Sequence, residues 1–228
     1  MLQKESLEFL QELKQNNHKE WFHGQKKRYE NYKSDYHQFI QSLLDYLKPH
    51  DPSLEPLQVK NCTFRINRDI RFSKDKSPYK THLSVWISTT PNTKNGPGYY
   101  VHIDENECFV AGGIYCPEPD AVKKIRNEIA YFEEDLEKIV QEPNFKKTFE
   151  DLDFEDHLML KTAPKGFEKD HPALPYLKLK SFTATHKINF KEATQPKFVA
   201  SIGEKLLLLK PLNSFLKRAL ESEETSQF

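Results

Sequence analysis

Four short segments between residues 64 and 115 alternate apolar and polar side chains, and this pattern constrains the fold more than any other feature of the sequence. Alternation is typical of a half-buried β-strand, because successive side chains of a strand point to opposite faces. Short turn-forming stretches join the segments, which favours pairing between strands that are neighbours along the chain. The predicted strands cover 64–72, 81–88, 99–104 and 108–115, with a further short strand over 181–188. The first four predict an antiparallel meander.

Longer segments repeat apolar residues at the spacing of an amphipathic helix. The predicted helices cover 4–15, 21–47, 117–140 and 196–220. Pro211 lies inside the last of them and predicts a kink or a break. Together the elements predict an α+β fold, with a curved, mainly antiparallel sheet of about four to six strands flanked by long helices. We expect one domain over residues 1–228, of which 221–228 form a frayed tail.

Composition and cysteine content narrow the class of protein. A chain of 228 residues can bury a substantial core. No apolar run approaches the roughly 18 residues needed to span a bilayer, and the first residues do not resemble a secretory signal. The three cysteines have no CxxC spacing, which argues against a disulfide scaffold or a zinc site and suits a reducing compartment. We therefore expect a cytoplasmic protein without a membrane partner, and its oligomeric state is left open.

Positive charge is concentrated between residues 60 and 80, although the whole chain is neutral, with 34 basic and 34 acidic residues. This window holds seven Lys/Arg and only two acids, Asp69 and Asp75. The strand prediction places Arg68 on the apolar side, where a guanidinium must be paired or reach a wet cavity. Pro78 belongs to a stretch of turn-forming residues that predicts a tight loop. Cations crowded on such a loop repel one another unless a carboxylate of the protein or a bound anion lies among them.

The favoured interpretation of the basic window is a site for an anionic, phosphate-bearing ligand. Arginine suits phosphate because its planar fork donates two parallel hydrogen bonds. A nucleotide, a phosphorylated metabolite or a nucleic-acid end would fit. Recognition of duplex nucleic acid is not expected, because the net charge is zero and no helix carries Arg and Asn at groove-reading spacing. The predicted ligand-binding residues are Arg65, Arg68, Arg71, Lys76, Tyr79, Lys80 and Tyr100.

Two alternatives stay open. The first is a hydrolase or transferase for a phosphoryl or acyl group, with acid–base chemistry from Asp69, Asp75, His82 and His102. The two histidines share a polar face if the strands over 81–88 and 99–104 pair with matching faces. No HExxH, GxSxG, Walker-type GxxxxGK[ST] or GxGxxG motif supports a particular reaction, no metal ligand is assigned and the cofactor stays unknown. The second alternative is a structural or protein-interaction module, in which internal carboxylates pair with the basic residues.

Several stretches of the chain resemble one known family, the domain of unknown function 2461 family of conserved microbial proteins of similar length. The resemblance lies in FRINRDIRFSKDKSPYKTHLS, GYYVHID, FVAGGIYCPEPDAVKKIRNEI, PKGFEKDHP and LKLKSF. It covers residues 5 to 220, and RDIRFSKDKSPYK is its most specific part. The resemblance implies a single domain, and it brings no activity, cofactor or catalytic residue with it.

Overall fold

The structure is a computed structural model that describes residues 1–90 and 96–222. Ten helices lie in these ranges: α1 (Lys4–Gln15), α2 (Lys19–Gly24), α3 (Lys26–Leu47), α4 (Val59–Cys62), α5 (Pro119–Tyr131), α6 (Glu133–Val140), α7 (Pro143–Phe149), α8 (Leu174–Leu177), α9 (Phe198–Leu208) and α10 (Lys210–Glu221). The strands described there are β1 (Leu83–Ser88), β2 (Gly98–Ile103), β3 (Cys108–Ile114) and β4 (Phe182–Lys187). This mixture confirms the predicted α+β fold class.

The four strands form one curved antiparallel sheet in the order β1-β2-β3-β4. Neighbours in the sheet are therefore neighbours in strand order, as the alternating segments predicted for β1 to β3. The short strand predicted over 181–188 is also confirmed, as β4.

The strand predicted over 64–72 is wrong. Only two isolated bridges occur around it, Thr63 to Val85 and Asn67 to Tyr79. The alternation gives no buried face, because Phe72 is 96% exposed. The backbone instead folds back on itself, and the Arg68 N–H donates to the Pro78 carbonyl at 2.9 Å.

Three of the predicted long helices are each two shorter helices. The breaks lie at Gln25, Phe132 and Leu209. Only the last break had a clear sequence signal: Pro211 lies in the first turn of α10, where its missing N–H leaves no helical hydrogen bond unmade. α10 ends at Glu221, and most of the tail predicted to be frayed, 223–228, lies outside the described residues.

The described chain divides into two compact units, each built from separate stretches of sequence, and the prediction of one domain stays a prediction. The first unit contains Met1–Ile87, Tyr100–Val110 and Lys187–Glu204. Its core includes the predicted apolar stripe of α1, and the Phe39 ring of α3 stacks on Phe198 with centroids 5.9 Å apart. The leucines of that α1 stripe, all buried, are Leu7, Leu10 and Leu13.

The second unit contains Ser88–Tyr99, Ala111–His186 and the chain from Lys205 onward. Within it, the Arg218 guanidinium of α10 pairs with Glu128 and lies 2.9 Å from Asp135, so charged groups tie this helix to α5 and α6. Gly113 of β3 has a φ of 114°, and a Cβ there would lie 2.0 Å from the Phe182 carbonyl oxygen. Only glycine meets both requirements.

Candidate functional site

The turn over 68–77 neutralises much of its own charge. Arg68 Nη1 donates to Asp75 Oδ2 at 2.5 Å and to the Ser77 carbonyl at 3.0 Å. Asp75 Oδ1 accepts from the Ser77 N–H and hydroxyl, and these bonds, followed by Arg68, lower the pKa of the Asp75 carboxyl to about 2. Of the two possibilities predicted for Arg68, a partner or a wet cavity, the structure shows a partner, Asp75, within the same turn.

Two more of the predicted cations on this turn also have partners inside the protein. Arg71 forms a two-point fork with Asp69, with N···O distances of 3.0 and 2.7 Å. Lys76 Nζ donates to the Ile70 carbonyl at 2.9 Å. Asp69 and Asp75, the acidic candidates for acid–base chemistry, are therefore both engaged with neighbouring residues of the turn. A ligand-binding or catalytic role for these groups stays a prediction.

The other two predicted cations, Arg65 and Lys80, line a cavity of about 380 Å³. The cavity lies within the first unit, between α3, the segment over 63–67 and the chain leading into β1. A third cation, Lys33, projects into the same lining from α3. Among the described residues, none of those that line the cavity is Asp or Glu; they are Tyr29, Tyr32, Lys33, Tyr36, His37, Thr63, Phe64, Arg65, Ile66, Asn67, Lys80, His82 and Ser84. The cavity is therefore cationic.

One face of α3 provides the first wall of this cavity. Tyr29, Tyr32 and Tyr36 follow the three- and four-residue spacing that places side chains on one side of a helix, and Tyr32 and Tyr36 stack with centroids 6.0 Å apart. The Tyr36 hydroxyl donates to the Ser84 carbonyl at 2.6 Å and accepts from the Phe64 N–H at 3.0 Å. Burial raises the pKa of this hydroxyl to about 12. Tyr36 thus ties α3 to the segment over 63–67 through Phe64 and to β1 through Ser84.

The chain leading into β1 forms the floor. Lys80, His82 and Ser84 alternate along this extended segment and therefore project to the same side. Lys80 Nζ lies 4.8 Å from the centroid of the Phe64 ring, a cation–π arrangement at the cavity surface. Burial, assisted by the Arg65 charge, lowers the pKa of the Lys80 ammonium. A buried cation beside another cation loses hydration without gaining a counter-charge.

His82 and His102 meet, as the sequence predicted for paired strands with matching faces. Their ring centroids are 4.5 Å apart, and the Tyr100 hydroxyl lies 3.2 Å from His102 Nδ1. Burial lowers the pKa of His82 to about 4, with the His102 and Lys80 charges adding to the shift, and burial also lowers the pKa of His102. Both imidazoles are therefore neutral at neutral pH.

Tyr79, a predicted ligand-binding residue, lies in the core. Its ring stacks on Phe22 with centroids 4.0 Å apart, and its backbone N–H and carbonyl are both bonded to the Asn17 side chain. Of the predicted ligand-binding residues, only Arg65 and Lys80 belong to the described cavity lining. Tyr100 lies outside this lining and contacts His102, whose ring meets that of the lining residue His82.

The sequence did not identify the contribution of α3 to the cavity. Lys33 and His37 flank the tyrosine stripe at helical spacing, and both line the cavity. The available signal was a basic residue placed within an aromatic stripe, which is unusual for a face that only packs in a core. Tyr32 and Tyr36 are buried, and they also face the cavity.

Three further observations bear on the class of protein. The described residues contain no group of three or more His, Cys, Asp or Glu that could ligate a metal. Among the helices described, none combines the length and apolar character needed to cross a membrane. No curated protein and no solved structure matches the chain.

A family model described as conserved hypothetical protein (DUF2461) matches residues 5–215. The match covers nearly the whole chain and includes all the residues described as lining the cavity. It agrees with the resemblance found in the sequence. The chain therefore belongs to the DUF2461 family.

Proposed function

We propose that the protein binds a small phosphate-bearing molecule in the cationic cavity, with Lys33, Arg65 and Lys80 around the phosphate group. The observation that carries the proposal is the lining itself, whose described residues include three cations and no carboxylate. Cations that share a cavity without a counter-charge repel one another, so a bound anion lowers the electrostatic free energy. The paired cations of the turn offer no comparable gain, because carboxylates already neutralise Arg68 and Arg71.

The aromatic part of the lining favours a ligand that also carries a flat ring. Phe64 and the α3 tyrosines offer apolar ring surfaces close to the cations. The cavity volume of about 380 Å³ falls within the usual range for small-molecule sites, roughly 300–1,000 Å³. A mononucleotide combines a phosphate with a stacking base and fits both features; a phosphorylated metabolite or a nucleic-acid end shares the phosphate chemistry.

Isothermal titration calorimetry with adenosine monophosphate, ribose 5-phosphate and adenosine tests this function. We expect the wild-type protein to bind the two phosphorylated compounds and to bind adenosine much more weakly. A hydrogen bond to a charged group contributes about 1.5–3 kcal/mol, so Arg65→Ala is expected to weaken phosphate binding roughly 10- to 100-fold. Arg71→Ala is the matched control and should leave the affinity unchanged, because Asp69 already engages that exposed guanidinium.

The two variants distinguish the cavity from the turn. Equal losses of affinity in Arg65→Ala and Arg71→Ala would place the anion on the turn and contradict the proposed cavity. Binding of adenosine as tight as that of adenosine monophosphate would contradict the role of the cations. Absence of heat and of thermal stabilisation with either phosphorylated compound would remove the proposal.

A phosphoryl hydrolase or transferase is the second candidate, and His82 is the observation in its favour. Its imidazole lies in the cavity lining beside His102 and is unprotonated at neutral pH, the state that a general base requires. Release of p-nitrophenol from p-nitrophenyl phosphate by the wild type, together with its loss in His82→Ala, would support this candidate. Equal rates in the two proteins would contradict it.

A further inference from the structure

We propose that Lys80 is a nucleophilic amine, which forms an imine with a carbonyl group of the ligand that occupies the cationic cavity. The inference rests on the proposed function, since the phosphate group brings the carbonyl to the amine. Among the phosphate-bearing ligands considered above, it favours a phosphorylated metabolite that carries an aldehyde or a ketone, and a mononucleotide then competes for the phosphate site without forming the imine.

The surroundings of Lys80 differ from those of an ordinary lysine on the protein surface. Lys14, for example, pairs with Asp104 at 3.2 Å, and Lys76 donates to a backbone carbonyl. Lys80 is half-buried, lines the cavity and has its Nζ beside the Phe64 ring, and no described carboxylate lies within ion-pair distance of it. An aromatic neighbour and a cavity opening leave the amine accessible to a ligand without neutralising it.

The charges facing Lys80 favour its neutral, reactive form. Arg65 and Lys33 line the same cavity as Lys80, and His82 lies two residues along the floor. Burial and the Arg65 charge lower the pKa of the Lys80 ammonium, so a larger share of neutral amine is present at neutral pH than for an exposed lysine. Desolvation beside another cation is a recognised way to activate a lysine nucleophile.

The reaction balances without an oxidant or a reductant. The nitrogen lone pair attacks the carbonyl carbon, a carbon–nitrogen bond forms, and the oxygen becomes a hydroxyl after a proton moves from nitrogen. Loss of that hydroxyl as water then breaks the carbon–oxygen bond and leaves the carbon–nitrogen double bond. The second nitrogen proton passes to the departing hydroxyl, so nitrogen supplies both protons of the water that leaves.

Borohydride trapping with a matched pair of aldehydes tests the inference. The full-length protein is treated with substoichiometric pyridoxal 5′-phosphate or with pyridoxal, which lacks the phosphate. The adduct is reduced and its position is found by peptide mass spectrometry. We expect Lys80 to be the first residue modified, faster than Lys76, and faster with the phosphorylated probe. Adenosine monophosphate should suppress the labelling.

Two variants make the test specific. Lys80→Arg removes the primary amine, so the reduced adduct at position 80 should be lost. Lys76→Arg is the control and should retain the adduct at Lys80. A cooperative thermal unfolding transition measured by circular dichroism shows that the Lys80→Arg protein is folded.

The failures of the two proposals give different results. If phosphorylated compounds bind but Lys80 is labelled no faster than Lys76, the imine inference is wrong and the phosphate site stands. If Lys80 reacts equally with both aldehydes and adenosine monophosphate does not bind, the phosphate site is wrong, and the inference fails with it.

Discussion

Replacement of Tyr36 by phenylalanine removes one hydroxyl from the centre of the cavity walls, and its effect can be estimated from the structure. That hydroxyl is the shared partner of the Ser84 carbonyl, at 2.6 Å, and of the Phe64 N–H, at 3.0 Å. A buried polar group that loses its partner costs about 1–3 kcal/mol. We therefore expect Tyr36→Phe to lower the free energy of unfolding by about 2 kcal/mol, and the melting temperature by about 4–8 °C for a chain of this size.

Urea denaturation followed by circular dichroism measures this change, and calorimetry with adenosine monophosphate measures its consequence for the cavity. The affinity should fall together with stability, because the Phe64–Arg65 segment loses its anchor to α3. Tyr29→Phe is the matched control: its ring lies on the same helix face, but its hydroxyl bonds to none of the described residues, so the change should stay within about 0.5 kcal/mol. Equal denaturation midpoints for the two variants would refute the anchoring role of Tyr36.

Two further outcomes follow from the geometry. Folding lowers the pKa of His82 from 6.5 to about 4 and lowers that of His102 as well. Between pH 6.5 and 4 the unfolded chain therefore binds more protons than the folded chain. The free energy of unfolding should therefore decrease as the pH falls from 6.5 towards 4. His82→Phe should make this pH dependence weaker when it is measured by urea denaturation at several pH values. A pH dependence equal to that of the wild type would contradict burial of the imidazole. Gly113→Ala should lower the free energy of unfolding by more than about 2 kcal/mol, because the new Cβ would lie 2.0 Å from the Phe182 carbonyl oxygen. Gly166→Ala is the control, with a φ of 91° and open space around it, and should lower the free energy of unfolding by only about 1–2 kcal/mol. Equal melting temperatures for the two variants would contradict the steric argument.

The fold was largely predictable because periodicity is a local property. The 3.6-residue repeat located the long helices, and the two-residue repeat located β1, β2 and β3. The same reasoning failed over 64–72, where the apolar residues alternate but no face of the segment is buried. Phe72, almost fully exposed, shows the reason: alternation describes how side chains are directed, and whether a core lies on that side depends on the rest of the molecule.

The sequence by itself determined that positive charge is concentrated in one window, and it predicted that Arg68 is paired or reaches a wet cavity. Only the tertiary structure decided which of these cations have a described carboxylate within ion-pair distance. Asp75, seven residues along the chain, neutralises Arg68, whereas Arg65 and Lys80 face a cavity whose other wall is formed by α3. Tyr36 and Phe64 are 28 residues apart in sequence, yet the Tyr36 hydroxyl oxygen lies 3.0 Å from the Phe64 backbone nitrogen. Electrostatic energy depends on distance in space, so a sequence can show where charges are dense, but only the folded chain shows which of them remain unpaired.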